Sequence, residues 1–226
     1  MLPSEELWQA NKDIVHSCFH SSFVKSLGNG KLDKEDFVLY LAQDAFLLEA
    51  MARTYSVAAA KAPDFYGFSV LHQMIAQLIE ALGDRHQEIF LRNETNIQAV
   101  PRSQTQRYTD FLISTAWTED MGVILNATVP YLKLHLELGM LMQCGNPQQT
   151  YRNWGLTYSS ERFQETVAMM DGLVDRYANS HQARYSVYRH SLLLLRLFFD
   201  ALAPTLTQAP PIDNWTLVLD KPVWES

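Results

Sequence analysis

The sequence predicts an all-α, multi-helix bundle, and three observations carry that prediction. Apolar residues recur at spacings of three and four over long stretches, strand-like alternation never comes in series, and short Gly, Pro and Asn punctuation separates the stretches. Apolar residues (47%) and charged residues (19%) stand in the proportion of an ordinary globular chain, and 226 residues suffice to bury one large core.

The elements follow in order. Ser4 to about Leu27 is a first helical stretch, bent or broken near His20-Ser-Ser and closed by Gly28-Asn-Gly. Asp33 caps a second helix, with Asp36 in its first turn to suit the dipole, and Ala62-Pro63 stops it after about Lys61. A third helix runs from about Phe65 to Arg92, and a fourth from about Ser103 to Trp117 after the break at Pro101; the longest internal loop joins them. Glu119 or Asp120 begins a fifth helix that reaches about Cys144, with Pro130 inside it as an expected kink because proline lacks a backbone donor. Gln148 to Ala178, interrupted at Tyr158-Ser-Ser, and His181 to Leu202 complete the bundle.

After Ala203-Pro the helical period is lost. The division is therefore a helical domain over 1–204 and a non-helical C-terminal arm over 205–226. Trp215, Leu217, Val218, Leu219 and Trp224 make the arm too apolar for a plain solvated linker. It is expected to pack on the body or on a neighbouring subunit, with Thr216 to Leu219 as a short strand; a disordered tail is the alternative.

Charge and cysteine usage exclude several classes. A net charge of -7 without a basic run argues against nucleic acid and anionic lipid as partners. Cys18 and Cys144 lie far apart and outside any CxxC or Cys/His cluster, so neither a disulfide framework nor a zinc site is expected, and no cofactor is implied. The opening Met1-Leu-Pro-Ser-Glu-Glu is unlike a secretory signal. The most apolar run, Leu192 to Leu202, contains Arg196 and Asp200 and falls short of the roughly 20 residues a membrane span requires. A soluble, cytoplasmic protein is the expectation. Gly28-Asn-Gly-Lys lacks the spacing of a phosphate loop and reads as a helix stop.

The second helix holds the most informative residue. Phe37, Leu41, Asp44, Leu48, Met51 and Tyr55 share one face, which sets the Asp44 carboxylate within an apolar stripe. A carboxylate facing a core costs several kcal/mol unless it is paired, hydrogen-bonded or in contact with a polar ligand. Asp44 is thus a ligand site, one half of an ion pair with a residue such as Arg53 or Arg196, or a partly exposed edge residue. On the fifth helix Ile124, Thr128, Tyr131, His135, Leu138 and Met142 share a face, while Lys133 and Glu137 point elsewhere. Tyr131 and His135 taken singly read as core residues; taken with Asp44 they outline a polar pocket between helices. Tyr108, Phe111, Leu112 and Thr115 form another inward row, as do Tyr188, Leu192, Leu195 and Phe199. An aromatic cage with one carboxylate suits a flat, neutral or cationic heterocycle.

Five segments in order resemble the TenA/thiaminase II family. They are Phe37-Val-Leu-Tyr-Leu-Ala-Gln-Asp44, Tyr108-Thr-Asp-Phe-Leu, the stretch Thr128 to Gly139, the stretch Trp154 to Phe163, and Phe198-Phe-Asp. The resemblance spans roughly residues 5 to 203 and implies a haem-oxygenase-like bundle, a homo-oligomer (dimer or tetramer), and hydrolysis of aminopyrimidines in thiamin salvage or cleavage of thiamin. It implies that Asp44 is the carboxylate that binds the pyrimidine and relays a proton, that Tyr108 assists at the same site, and that Tyr158 lines the pocket. Leu47, Tyr131, His135, Leu195 and Phe198 fall at further pocket positions.

The chain also departs from the family pattern. The nucleophilic cysteine falls at Tyr131 and the catalytic glutamate at Leu195, while Leu47 and His135 stand where pocket tyrosines are usual. Neither a phenol with a pKa of about 10 nor an alkyl chain replaces a thiol and a carboxylate directly. Cysteine-free members that hydrolyse aminopyrimidines keep the enzyme reading open, and Glu119 is the nearest alternative acid; a catalytically inactive small-molecule-binding protein is the other reading. A two-metal branch of the same fold uses acidic and histidine ligands, but here Glu80 is followed by Gln87, and His190 by Leu194 and Leu197, so no metal is expected.

Overall fold

A computed structural model describes residues 1–92, 100–144, 149–177 and 181–202. The expected arm over 205–226 and the internal loop before Val100 lie outside the described residues. Among the described residues ten helices run in the order α1 (Pro3–Ala10), α2 (Lys12–Phe19), α3 (Ser22–Gly28), α4 (Lys34–Ala60), α5 (Phe65–Arg92), α6 (Ser103–Thr118), α7 (Met121–Cys144), α8 (Gln149–Ser159), α9 (Glu161–Arg176) and α10 (His181–Ala201). None of them is long and apolar enough to cross a membrane.

The first stretch is three short helices rather than one helix with one break. The second break falls at Asn11, which is fully buried. Its side-chain amide donates to the Leu7 carbonyl at 2.8 Å and its side-chain oxygen accepts from Arg189 at 3.1 Å. Such local bonding offers the backbone an alternative to the helical ladder. The break near His20 is where Ser21 caps α3, its hydroxyl accepting from the Val24 N–H at 3.3 Å. Gly30 then turns the chain with φ 74°, a left-handed conformation suited to glycine, and the N–H groups of Lys31 and Leu32 both reach the Ser26 carbonyl.

The other boundaries lie within about two residues of those expected. Of the two residues expected to begin the fifth helix, Asp120 does so, its Oδ1 accepting from the Val123 N–H at 3.0 Å, while Glu119 ends α6 as an exposed C-cap. Lys61 explains this corner: its ammonium donates to the carbonyls of Ala116, Trp117 and Glu119 at 2.7, 3.2 and 2.6 Å, answering the negative end of α6.

The bundle is organised around α7, which is apolar on nearly every side and packs against α4, α6, α8, α9 and α10. It runs through Pro130 without interruption. Two glycines let its C-terminal half lie backbone to backbone on α8. A Cβ on Gly139 would stand 2.8 Å from the Ser159 nitrogen and 2.9 Å from the Gly155 carbonyl oxygen, and one on Gly155 would stand 3.0 Å from Met142 Cβ.

Two predictions follow from this packing. Gly139→Ala forces backbone apart and should lower stability by about 1–3 kcal/mol, read as a fall in the urea midpoint. The second concerns Asp64, which precedes α5 and accepts from the Gly67 N–H (2.9 Å), the Tyr177 hydroxyl (2.6 Å) and Arg176 (3.1 Å). The backbone N–H first, then the phenol and the guanidinium, hold its carboxyl at about 2. A folded pKa below the unfolded value of about 3.9 gives stabilisation that is complete above pH 4 and disappears as pH falls toward 2. Asp64→Ala should therefore be less stable than wild type at pH 7, with the gap closing between pH 4 and 2 in parallel denaturation series.

Candidate functional site

Periodicity on α4 and α7 brings the two informative faces together. Asp44 is fully buried, which removes the exposed-edge reading. Its Oδ1 accepts a hydrogen bond of 2.7 Å from the Tyr131 hydroxyl. Arg53 is engaged with Glu49 at 2.7 Å, and Arg196 with Asp200 at 2.9 Å, one turn away in each case.

Tyr131 is the hub of the site. Burial, and then the Asp44 charge, keep its phenol well above its ordinary pKa, so it stays protonated and donates. Its hydroxyl lies 3.4 Å from that of Tyr158, and its ring stacks on His135 with centroids 3.9 Å apart. His135 Nδ1 lies 2.8 Å from the Tyr131 backbone carbonyl, which can only accept, so Nδ1 carries the hydrogen. In the neutral ring Nε2 then accepts from the Tyr40 hydroxyl at 3.2 Å. Asp44, Tyr131, His135 and Tyr158 thus form one connected polar group on α4, α7 and α8.

Beside this group opens a cavity of about 330 Å³. Tyr131 and Tyr158 stand on its wall with Leu48, Met74, Trp154 and Phe163. The Tyr158 ring lies 4.7 Å from Trp154 and edge-on 5.0 Å from Phe163. Toward solvent, Arg162 pairs with Glu80 at 2.6 Å, and Asp84 lines the same opening. An apolar hollow with a few convergent hydroxyls is the usual form of a small-molecule site.

The remaining sequence-predicted residues are not on this wall. Tyr108 is buried and donates to Ser191 at 2.9 Å; Ser191 in turn donates to the Ala127 carbonyl at 2.7 Å. Leu47, Leu195 and Phe198 are buried in the core, Phe198 against Phe199 and Tyr40. Asp44 itself stands one phenol behind the wall. The wall contributed by α5 and α9 is not among the residues the sequence marks, although Met74, Leu78 and Ala81 recur on α5 at helical spacing. Such spacing marks a face but does not distinguish a cavity from a packed core.

Several alternatives fare differently. Glu119 is exposed at the end of α6 and outside the cavity wall. Glu80 is taken by Arg162, and no cluster of His, Cys, Asp or Glu among the described residues could hold a metal ion. Burial pushes the Cys18 thiol up to about 12, which leaves it unreactive, and Cys144 is exposed.

Residues 8–189 match the model of the TENA/THI-4/PQQC family. The chain is 32% identical over 160 residues to the thiamine biosynthesis multifunctional protein ThiED of Corynebacterium efficiens, covering 70% of this chain and 22% of that protein. It therefore spans about a fifth of that relative's length. With the aminopyrimidine aminohydrolase of Halalkalibacterium halodurans it shares 21% identity over 196 residues, covering 83% of this chain and 87% of the other. Among solved structures, a TenA homologue from Pyrococcus furiosus superposes with a TM-score of 0.83 at 18% identity, covering 89% and 100% of the two chains. The TenA homologue from P. horikoshii OT3 gives a TM-score of 0.77 at 21% identity, covering 90% and 99%. The fold is the all-α, haem-oxygenase-like bundle.

Ser191 offers a test of the neighbouring polar group. Ser191→Ala leaves the buried Tyr108 hydroxyl and the Ala127 carbonyl without their bridge and should cost about 1–3 kcal/mol in chemical denaturation.

Proposed function

The chain belongs to the TENA/THI-4/PQQC family, and from that premise we propose that it is a divergent TenA-type hydrolase that binds an aminopyrimidine-type heterocycle and acts in thiamin salvage. The observation that carries this reading is a buried carboxylate, Asp44, joined by a 2.7 Å hydrogen bond to a phenol on the wall of an aromatic cavity. Aromatic faces suit a flat ring, and a carboxylate reached through a phenol suits an amino substituent. Relatives named for thiamine biosynthesis and for aminopyrimidine hydrolysis support the same ligand class.

The chemistry must differ from attack by a thiol. Tyr131 is a protonated phenol hydrogen-bonded to Asp44, and Leu195 brings only an alkyl chain. In this reading water adds to the ring carbon that bears the amino group, one of its protons passes through Tyr131 to Asp44, and that proton is returned to the nitrogen as its bond to the carbon breaks and ammonia leaves. Tyr131 and Leu195 equally favour a second reading, a member that binds the heterocycle without turning it over.

Incubation of the purified protein with aminopyrimidine, formylaminopyrimidine and thiamin separates the readings. Turnover by wild type, reduced about tenfold or more in Asp44→Asn, is the result expected of the enzyme; a tenfold loss corresponds to about 1.4 kcal/mol of transition-state stabilisation. Binding without product assigns the second reading. Binding of none of the three overturns the pyrimidine assignment.

A further inference from the structure

We propose, resting on the reading of the cavity just given, that the ligand is held by the hydroxyl oxygens of Tyr158 and Tyr131 acting as acceptors, with Asp44 a positioning residue behind them. The cavity then selects a flat ring that carries an N–H donor.

The directions of the hydrogen bonds lead to this. A phenol has one hydrogen, and that of Tyr131 goes to Asp44 Oδ1 at 2.7 Å. In the 3.4 Å contact between the two phenols Tyr158 must therefore supply the hydrogen and Tyr131 the lone pair. Both hydroxyls direct their hydrogens along the path to Asp44, and both residues line the cavity. What they can offer a ligand is oxygen lone pairs. A chain that ends on a carboxylate polarises each hydroxyl in turn, which makes the outer oxygens better acceptors.

Asp44 cannot meet the ligand directly in this arrangement. It is fully buried and absent from the wall, whereas Tyr131 and Tyr158 are on it. Direct contact would require the Tyr131 ring to leave both the 2.7 Å bond and its 3.9 Å stack on His135. The charged groups at the opening point the same way. Glu80 and Arg162 neutralise one another, and Asp84 leaves one negative charge in excess among the charged residues that line the cavity. An amino or ammonium group is favoured there over an anion.

The test compares 4-aminopyrimidine with 4-methylpyrimidine, similar in shape but without the donor, by calorimetry on the wild-type protein. The amino compound should bind about tenfold tighter or better; equal affinities overturn the proposal, and this arm needs no variant. The second arm measures both compounds on Asp44→Asn, Tyr131→Phe, Tyr158→Phe and the Asp44→Asn/Tyr131→Phe double variant. Each phenylalanine variant should lose most of the preference for the amino compound, and Asp44→Asn should add no further loss once Tyr131 is phenylalanine. Tighter binding by Tyr131→Phe, or an equal loss from Asp44→Asn in both backgrounds, places Asp44 against the ligand; that overturns this inference and leaves the aminopyrimidine reading standing. Failure of both compounds to bind wild type overturns the two together.

Discussion

The hydrogen bond from Tyr131 to Asp44 constrains the helices on either side of it. A carboxylate inside a bundle needs donors, because an ionised group deprived of them would cost more than the packing of its neighbours returns. Meeting that need with a side chain from another helix fixes the rotation of α4 against α7. It also fixes which residues of α7 remain to face elsewhere. Once Tyr131 is turned to Asp44, His135 one turn on stacks against it and reaches Tyr40, while Lys133 turns away to pair with Asp171 at 2.7 Å. Glu137 turns away too and accepts from the Trp8 indole at 2.9 Å.

The close seating of α8 serves the same group. Gly139 and Gly155 bring the two backbones within reach, and this draws Tyr158 to the Tyr131 hydroxyl and Trp154 to 6.1 Å from His135. A rigid pair of helices therefore holds the polar floor of the cavity. The opposite wall comes from α5 and α9, joined at the opening by the exposed Arg162–Glu80 pair, which adds little to stability but places charge where a ligand would pass.

Family kinship and local chemistry pull in different directions at this site. The fold goes with the TenA family, while Tyr131 and Leu195 stand where the resemblance leads one to expect a thiol and a carboxyl. Replacing a small thiol by a phenol changes more than reactivity. The Tyr131 ring engages the Asp44 carboxylate, and in the proposed binding mode that charge reaches the ligand through hydroxyl groups.

The sequence by itself determined most helix boundaries, the burial of the α7 face that carries Tyr131 and His135, and the anomaly of Asp44, because all three follow from local periodicity and from the cost of an unpaired charge. The break at Asn11 was not legible, since it depends on Arg189 reaching over from α10. Nor could the sequence divide the predicted pocket residues, Tyr131 and Tyr158 on the wall and Tyr108, Leu47, Leu195 and Phe198 within the core. Spacing says that a residue faces inward but not what it meets there. Only the tertiary structure decided that Tyr131 gives its one hydrogen to Asp44 and that the cavity lies beyond the phenols, because hydrogen-bond direction and empty space arise between elements and are encoded in none of them alone.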